Sequence, residues 1–238
     1  MLRLFIAITL WLVPALAHPQ HSPEAADPLD PFLYQAFAAT TQEERVPVYH
    51  LGVQGRMEAD GYRLTAVLEG FPAHAAGLRR GDVIRLANGV DYHPLQHIDN
   101  GTPTLLTVAR NNSESEVSIT PVAKNQYDSY RQATLNSIQQ FSVGNKVIGY
   151  LRLWGLSRST ADLITLQQLV QQLALTDGMI LDLRDGYGFF GEQHLSLFRG
   201  KLGEEYYGQP IALLINERTR GGLTELALGL ADLDRVIT

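Results

Sequence analysis

The residues of this chain that could do chemistry lie between Asp182 and Gly191, between Asn216 and Thr224, and in scattered histidine pairs. Gly186-Tyr187-Gly188-Phe189-Phe190-Gly191 is a formal G-x-G-x-x-G, and Glu204 stands near the spacing of a ribose-binding acid, which is the pattern of a dinucleotide site. Against that reading, a bulky Phe pair occupies the place where a pyrophosphate needs bare backbone. Asp182 and Glu217 are a carboxylate pair of the kind glycosidases use, but spacing alone says nothing specific. Asp182 and Arg184, alternate residues on one strand, read as a pairing or capping device near a turn. His194 and Ser196 lie two residues apart on a predicted helix, where side chains do not share a face, and there is no G-x-S-x-G elbow. His93 and His97 have the spacing of a helical metal pair, yet Pro94 stands between them and no third ligand can be assigned. His18 and His21 would chelate copper only with a third ligand, and read instead as part of a frayed tail. Cysteine is absent, which excludes disulfides, thiolate zinc, a cysteine nucleophile and a lipobox anchor.

Two kinds of element must position these groups. Between Val46 and Val122 short strands alternate with turns rich in Gly, Asn, Asp and Pro: His50 to Val53, Tyr62 to Leu68, Asp82 to Leu86, Leu105 to Ala109 and Glu116 to Thr120. This predicts a small β-rich domain over residues 46–122. From 123 to 238 the period changes to helices and buried strands. An amphipathic stretch near Tyr127 to Ile138 precedes a strand over Val147 to Leu153. Ser159 opens a helix with Asp162 as a variant capping box, and Gly178 to Leu183 reads as a parallel strand covered on both faces. Helices near Glu192 to Phe198 and Gly222 to Asp232, and strands at Ile211 to Ile215 and from Arg235, complete an α/β pattern. The fold class expected is therefore α+β followed by α/β.

The first 17 residues read as a signal peptide: Arg3 precedes an apolar stretch from Leu4 to Leu16, too short to span a bilayer, and Ala15-Leu16-Ala17 fits a small-x-small cleavage site. Cleavage after Ala17 predicts an exported chain, periplasmic or extracellular, with no membrane attachment afterwards. Residues 18–45 read as a Pro-rich linker and a short helix from about Phe32 to Glu44. Nineteen Lys and Arg against 25 Asp and Glu give a net charge of −6, the wrong sign for a nucleic-acid groove or an anionic membrane surface.

The segment Gly70-Phe71-Pro72-Ala73-His74-Ala75-Ala76-Gly77-Leu78-Arg79-Arg80-Gly81-Asp82-Val83-Ile84, followed by Asn88-Gly89, resembles the PDZ domains of bacterial exported proteases. In that family an apolar-Gly-apolar loop offers backbone N–H groups to a peptide's terminal carboxylate, and the peptide adds as a strand to the sheet edge. The matching positions are Leu51, Gly52 and Val53, and the partner implied is a polypeptide C-terminus. The groove's second wall is normally a helix, whereas His93 to Thr104 is short and broken by Pro94, Gly101 and Pro103.

Asp182-Leu183-Arg184-Asp185-Gly186-Tyr187-Gly188 resembles the D-L-R-x-N-x-G-G signature of the C-terminal processing, or tail-specific, serine peptidases. Ile148-Gly149-Tyr150-Leu151-Arg152-Leu153-Trp154 is similar to that family's I-G-Y-I-R-L strand, and Leu214-Ile215-Asn216-Glu217-Arg218-Thr219-Arg220 to the strand and turn before its nucleophile. The resemblance implies a PDZ-like domain followed by an incomplete, crotonase-related peptidase domain that hydrolyses peptide bonds of exported proteins. Its Ser/Lys dyad works without metal or cofactor. A buried lysine of depressed pKa acts as base, and backbone N–H groups hold the oxyanion, each worth about 3 kcal/mol. By resemblance, Gly188 and Gly222 are the oxyanion-hole candidates, but Gly221 stands where the serine belongs, and no serine follows Ser196. Only Thr219 or Thr224 offers a hydroxyl nearby. Lys124, Lys146 and Lys201 all lie upstream, and Thr238 ends the chain before the expected base. Three readings stay open: an active peptidase with an unseen dyad, an inactive relative that binds exported polypeptides, and a truncated product. The expectation is that this chain is inactive.

Overall fold

The protein is described here by a computed structural model covering residues 29–30, 45–96, 101–200 and 206–238. The leader and its cleavage site, His18, His21, the helix expected before Glu44, His97, Lys201 and Glu204 lie outside the described residues.

Alternation builds the first unit. Tyr62, Leu64 and Ala66 point to one side of Gly61–Val67 (β3) and are buried, as period two requires of a sheet packed on one face. β3 pairs antiparallel with Val53–Glu58 (β2) and with Val83–Ala87 (β4). β4 pairs with Thr104–Arg110 (β6) and the short Val90–Asp91 (β5), and β6 with Ser113–Ile119 (β7), giving the order β2-β3-β4-β6-β7. Val48–His50 (β1) and Val122–Lys124 (β8) close the unit's two ends as an antiparallel ribbon. Pro72–Ala75 forms one helical turn (α1), begun by a proline whose φ is already helical. The strand expected from His50 to Val53 is instead broken, because Gly52 takes φ +80° and turns the chain between β1 and β2.

Gln126–Ser137 (α2) follows, capped by Asn125, whose side chain accepts from the Asp128 N–H at 2.9 Å. Its buried face is more polar than an amphipathic reading expects: Gln126, Ser129, Thr134 and Ser137 are covered along with Tyr130 and Ala133. Each polar group has a partner. Ser137 Oγ accepts from the Arg152 N–H at 2.9 Å, and Thr134 Oγ1 from the Trp154 N–H at 3.1 Å. The helix thus joins the first unit to the second through hydrogen bonds rather than through a greasy stripe.

The second unit repeats strand, short strand, helix. Lys146–Arg152 (β10) leads to Gly155–Leu156 (β11) and Thr160–Gln172 (α3). Gly178–Asp182 (β12) leads to Tyr187–Gly188 (β13) and Glu192–Arg199 (α4), and Ile211–Leu214 (β14) to Arg220–Gly221 (β15) and Gly222–Ala231 (α5). With Gln139–Val143 (β9) and Val236–Ile237 (β16), the long strands form a sheet ordered β16-β14-β12-β10-β9. All its pairs are parallel except β9 with β10. The short strands make a second parallel sheet, β11-β13-β15. The strand expected to be covered on both faces is fully covered on one: Ile180 of β12 is only half-buried, like its neighbours Tyr150 on β10 and Ala212 on β14, whereas Met179 and Leu181 on the other face pack against the helices. Leu151, Leu166, Leu169, Met179, Leu181, Leu213, Leu223 and Leu226 fill the core between them. β9 has five exposed residues and hence no burial pattern to betray it in sequence.

One expected local device is made differently. Ser159 does cap α3, accepting from the Ala161 N–H at 3.3 Å. Asp162, however, does not reach back to the Ser159 N–H. Its carboxylate accepts from the N–H and Oγ of Ser157, at 2.7 and 2.5 Å, and from Arg131 at 3.1 Å, so it ties the β11–α3 loop to α2.

Candidate functional site

The ends of β12 and β14 converge on the second, smaller sheet. There Gly188 on β13 pairs with Gly221 on β15 and, on the other side, with Leu156 on β11. Tyr187 and Phe189 both donate toward β11, to Trp154 O and Leu156 O, so strand alternation turns the Gly188 peptide toward Gly221. Gly221 is the last residue before α5, in an uncommon conformation with φ +60° and ψ −142°. This is a strand-to-helix elbow, the kind of sharp turn on which nucleophilic serines are held. The residue at the elbow has no side chain, and a Cβ built there would lie 2.9 Å from Gly188 O. Gly222 follows as the first residue of α5 and is buried. Gly188, Gly221 and Gly222 are therefore brought together.

The two nearby hydroxyls are both committed to the backbone. Thr219 Oγ1 donates to Leu183 O at 3.0 Å and accepts from the Asn216 N–H at 3.1 Å. Thr224 Oγ1 donates to Thr219 O at 3.1 Å. Each acts as a brace of the turn. Lys146 pairs with Asp177 at 2.7 Å, and the Lys124 ammonium lies 5.9 Å from the centre of the Phe71 ring.

Beneath the elbow is a buried ionic network that spacing did not reveal. Asp185, whose side chain is 1% exposed, meets Arg80 at 2.9 Å, Arg152 at 3.3 Å and Arg218 at 3.9 Å. Asn216 completes its surroundings: Nδ2 donates to Asp185 Oδ1 at 3.1 Å, while Oδ1 accepts from the Asp185 N–H at 3.0 Å. Asp185 sits at φ +61°, a conformation that a short side chain tolerates. Asp182, also buried, accepts from Tyr150 OH at 2.9 Å and from Arg184 at 2.6 and 2.8 Å. Burial pushes its carboxyl up, but the Arg184 hydrogen bonds and the Arg152 charge outweigh burial and hold it below the ordinary range. Burial and the same carboxylate raise the Tyr150 phenol, so it stays a donor. The Arg152 guanidinium stacks 3.6 Å from the centre of the Trp154 ring, whose Nε1 donates to Glu69, and burial raises the Glu69 carboxyl. Asp182 and Arg184 are the pair expected, and Glu217 is not among the partners of Asp182.

His194 Nδ1 lies 3.1 Å from the Gly191 N–H, Ser196 Oγ donates to Gln193 O at 2.9 Å, and burial lowers the His194 pKa. The two form a helix start and a helix surface. Within Gly186 to Gly191, a Cβ at Gly186 would fall 2.8 Å from Leu153 O and one at Gly188 2.1 Å from Leu156 O, so close backbone packing explains these two glycines without a phosphate. His93 Nδ1 accepts from the Leu95 N–H at 3.2 Å. Among the described residues no three His, Asp or Glu side chains converge as a metal site, and no helix is long and apolar enough to cross a membrane.

Leu51, Gly52 and Val53 lie in the other unit, at the start of β2, and all three are buried. The Ala73 N–H of α1 donates to Leu51 O at 3.0 Å, and the Leu68 N–H to Gly52 O at 2.8 Å. Gly52 packs so tightly that a Cβ would fall 2.2 Å from the Phe71 Cβ. Its N–H donates to His50 Nδ1 at 3.0 Å, so one of the three amides in the loop is already spent. His50 Nε2 lies 3.0 Å from Ser129 Oγ, which itself donates to Asn125 O at 2.7 Å. An amide can only donate, so Nδ1 carries no proton and Nε2–H donates to Ser129. Burial and then the Lys124 charge lower the His50 pKa to about 4, in keeping with that neutral ring. β2 itself is an edge strand of its sheet among the described residues. In the segment expected to form the second wall, Pro94 to Gln96 is a turn, and β6 begins at Thr104.

No family model matches the sequence, and no curated protein does. Solved structures match. The putative S41 protease from Bacteroides fragilis NCTC 9343 superposes with a TM-score of 0.54 at 17% identity, covering 94% of this chain and 72% of that one. The fold is that of an S41 protease. The photosystem II D1 C-terminal processing protease is also similar, at 17% identity and TM-score 0.49, over 79% of this chain. The chain spans 59% of that protease's length. The HtrA3 PDZ domain, solved with the phage-derived ligand FGRWV, matches 33% of this chain at 23% identity and TM-score 0.30. The S41 protease fold extends over 94% of this chain, and so over both the β-rich sheet and the repeats whose short strands carry the elbow.

Proposed function

We propose that the protein is an exported, catalytically inactive relative of the tail-specific serine peptidases that binds polypeptides through its PDZ-like unit. One observation carries the inactivity: the elbow residue that should bear the nucleophile is Gly221, and the adjacent Thr219 and Thr224 hydroxyls are hydrogen-bonded to the backbone. An acyl transfer needs a nucleophile in reach of both a base and the oxyanion donors. Without one, Gly188 and Gly222 frame an empty position. The edge of β2, which Leu51-Gly52-Val53 opens, supports polypeptide binding, since an unpaired strand edge accepts an extended peptide by main-chain hydrogen bonds. The spent Gly52 amide makes the Leu51 and Val53 amides the donors for a terminal carboxylate. The leader over residues 1–17 supports export.

The test incubates the purified chain and a Thr219→Ala, Thr224→Ala double variant with an unfolded reporter polypeptide that ends in apolar residues. The expected result is no cleavage by either and saturable binding by both, weakened when the reporter's C-terminus is amidated. Cleavage by the parent and not by the double variant would make a threonine the nucleophile and overturn the proposal.

A further inference from the structure

Leu29 is 0% exposed although it belongs to no helix or strand. Its side chain is enclosed by Ala66, Leu68 and Phe71 of the PDZ-like unit and by Tyr130, Ala133 and Trp154 of the α/β unit. Its carbonyl is gripped as well. Tyr130 OH donates to Leu29 O at 2.7 Å, Gln126 Nε2 donates to it too, and Gln54 Nε2 reaches it at 3.5 Å. Gln54 also donates to Tyr130 OH, so the donors from β2 and α2 are tied to one another.

An apolar anchor filling a pocket, with the anchor residue's main-chain carbonyl captured by fixed donors, is how protein surfaces hold peptides. Core leucines rarely need the second part, because ladder or helix bonds satisfy their carbonyls. Here side chains from two units do so. In Asp27-Pro28-Leu29-Asp30-Pro31 the leucine is the only large apolar residue, so within this stretch it alone can be the anchor.

We propose that this junction pocket is a binding site for a leucine-bearing peptide, occupied in cis by the chain's own Leu29 and open to a second polypeptide when that residue is withdrawn. The walls come from both units, so an occupant in the pocket holds them together. This site borrows the Gln54 side chain from β2 and is separate from the glycine elbow.

The test uses the full chain in a Trp11→Phe background, which leaves Trp154 as the sole tryptophan. A fluorescein-labelled peptide of residues 25–31 with an amidated C-terminus, which carries Leu29 as its one leucine and offers no terminal carboxylate to the β2 loop, is titrated into the parent and into Leu29→Asp, with fluorescence anisotropy as the readout. The parent, its pocket filled, is expected not to bind. The variant is expected to bind one peptide per chain and to reverse a red shift of Trp154 emission as it does. A peptide with Asp in place of the leucine should not bind, and adding Tyr130→Phe should weaken binding by about tenfold. If Leu29→Asp gives no cooperative unfolding transition, Leu29→Ala replaces it, since it keeps the carbonyl and removes only the anchor. A folded variant that takes up no peptide would make Leu29 ordinary core and overturn the proposal, as would equal binding of the Leu and Asp peptides.

Discussion

Arg80 and Asp185, 105 residues apart in the chain, form an ion pair of 2.9 Å that joins the PDZ-like unit to the turn after β12. The two ends are unequal. The Arg80 side chain is 51% exposed and that of Asp185 is 1% exposed. Removing the arginine leaves a carboxylate that still has Arg152 and Asn216, whereas removing the carboxylate leaves several guanidinium groups without their common counter-charge. Asp185→Ala should therefore cost about 3–5 kcal/mol in urea unfolding, and Arg80→Ala no more than about 1 kcal/mol, because its end of the pair is solvent-screened. Equal costs would mean that Arg80, rather than the whole cluster, neutralises Asp185.

Gly221 is expected to resist the substitution that would seem to restore a nucleophile. At φ +60° and ψ −142°, with Gly188 O 2.9 Å from a new Cβ, a side chain is strained. Gly221→Ser and Gly221→Ala should each lose about 1–3 kcal/mol of stability, read from thermal or urea unfolding. A neutral Gly221→Ser would show that the elbow already accommodates a side chain.

His50 should make stability fall on acidification. Its folded pKa is about 4 against an ordinary 6.5, so the unfolded chain takes up a proton first. Stability is full above pH 6.5, declines as pH falls toward 4, and levels off below that, a span worth about 3 kcal/mol. His50→Gln removes this group, so the parent-minus-variant difference in unfolding free energy should shrink by about that amount between pH 7.5 and 4. A pH-independent difference would mean that the ring is already protonated or exposed at neutral pH.

Tyr150→Phe tests the Asp182 cluster. Losing the phenol donor leaves the buried carboxylate with Arg184, at a cost of about 1.5–3 kcal/mol at pH 7. Asp182 has a depressed pKa, so its ionised form contributes stability above the ordinary carboxylate range and loses it as pH falls through the folded value. The cost of Tyr150→Phe should accordingly diminish in acid. A cost that stays constant to low pH would assign it to packing rather than to charge.

Much of the architecture was legible because its signals are local. Tyr62, Leu64 and Ala66 alternate, the apolar run from Gly178 follows a capped helix, and both land in the strands they suggest. The elbow glycines were legible through motif resemblance, and Gly188 and Gly221 do pair. β9 was missed because solvent covers both its faces, and β2 because Gln54 to Glu58 is a polar edge. The Ser159–Asp162 capping box failed because Asp162 gains more from two donors on Ser157 and from Arg131 than from one amide.

The sequence by itself determined the period of each half, the order of a β-rich and an α/β unit, and the missing hydroxyl at position 221, since each depends on residues near in the chain. Tertiary structure alone decided which charges meet. Arg80, Arg152 and Arg218 are distant in sequence, and no periodicity relates them to Asp185. It also decided that the Gly52 amide is held by His50 and that Leu29 fills a pocket between the units. Local propensity acts over a few residues, whereas burial and Coulomb attraction act on whatever the folded chain brings within a few ångströms.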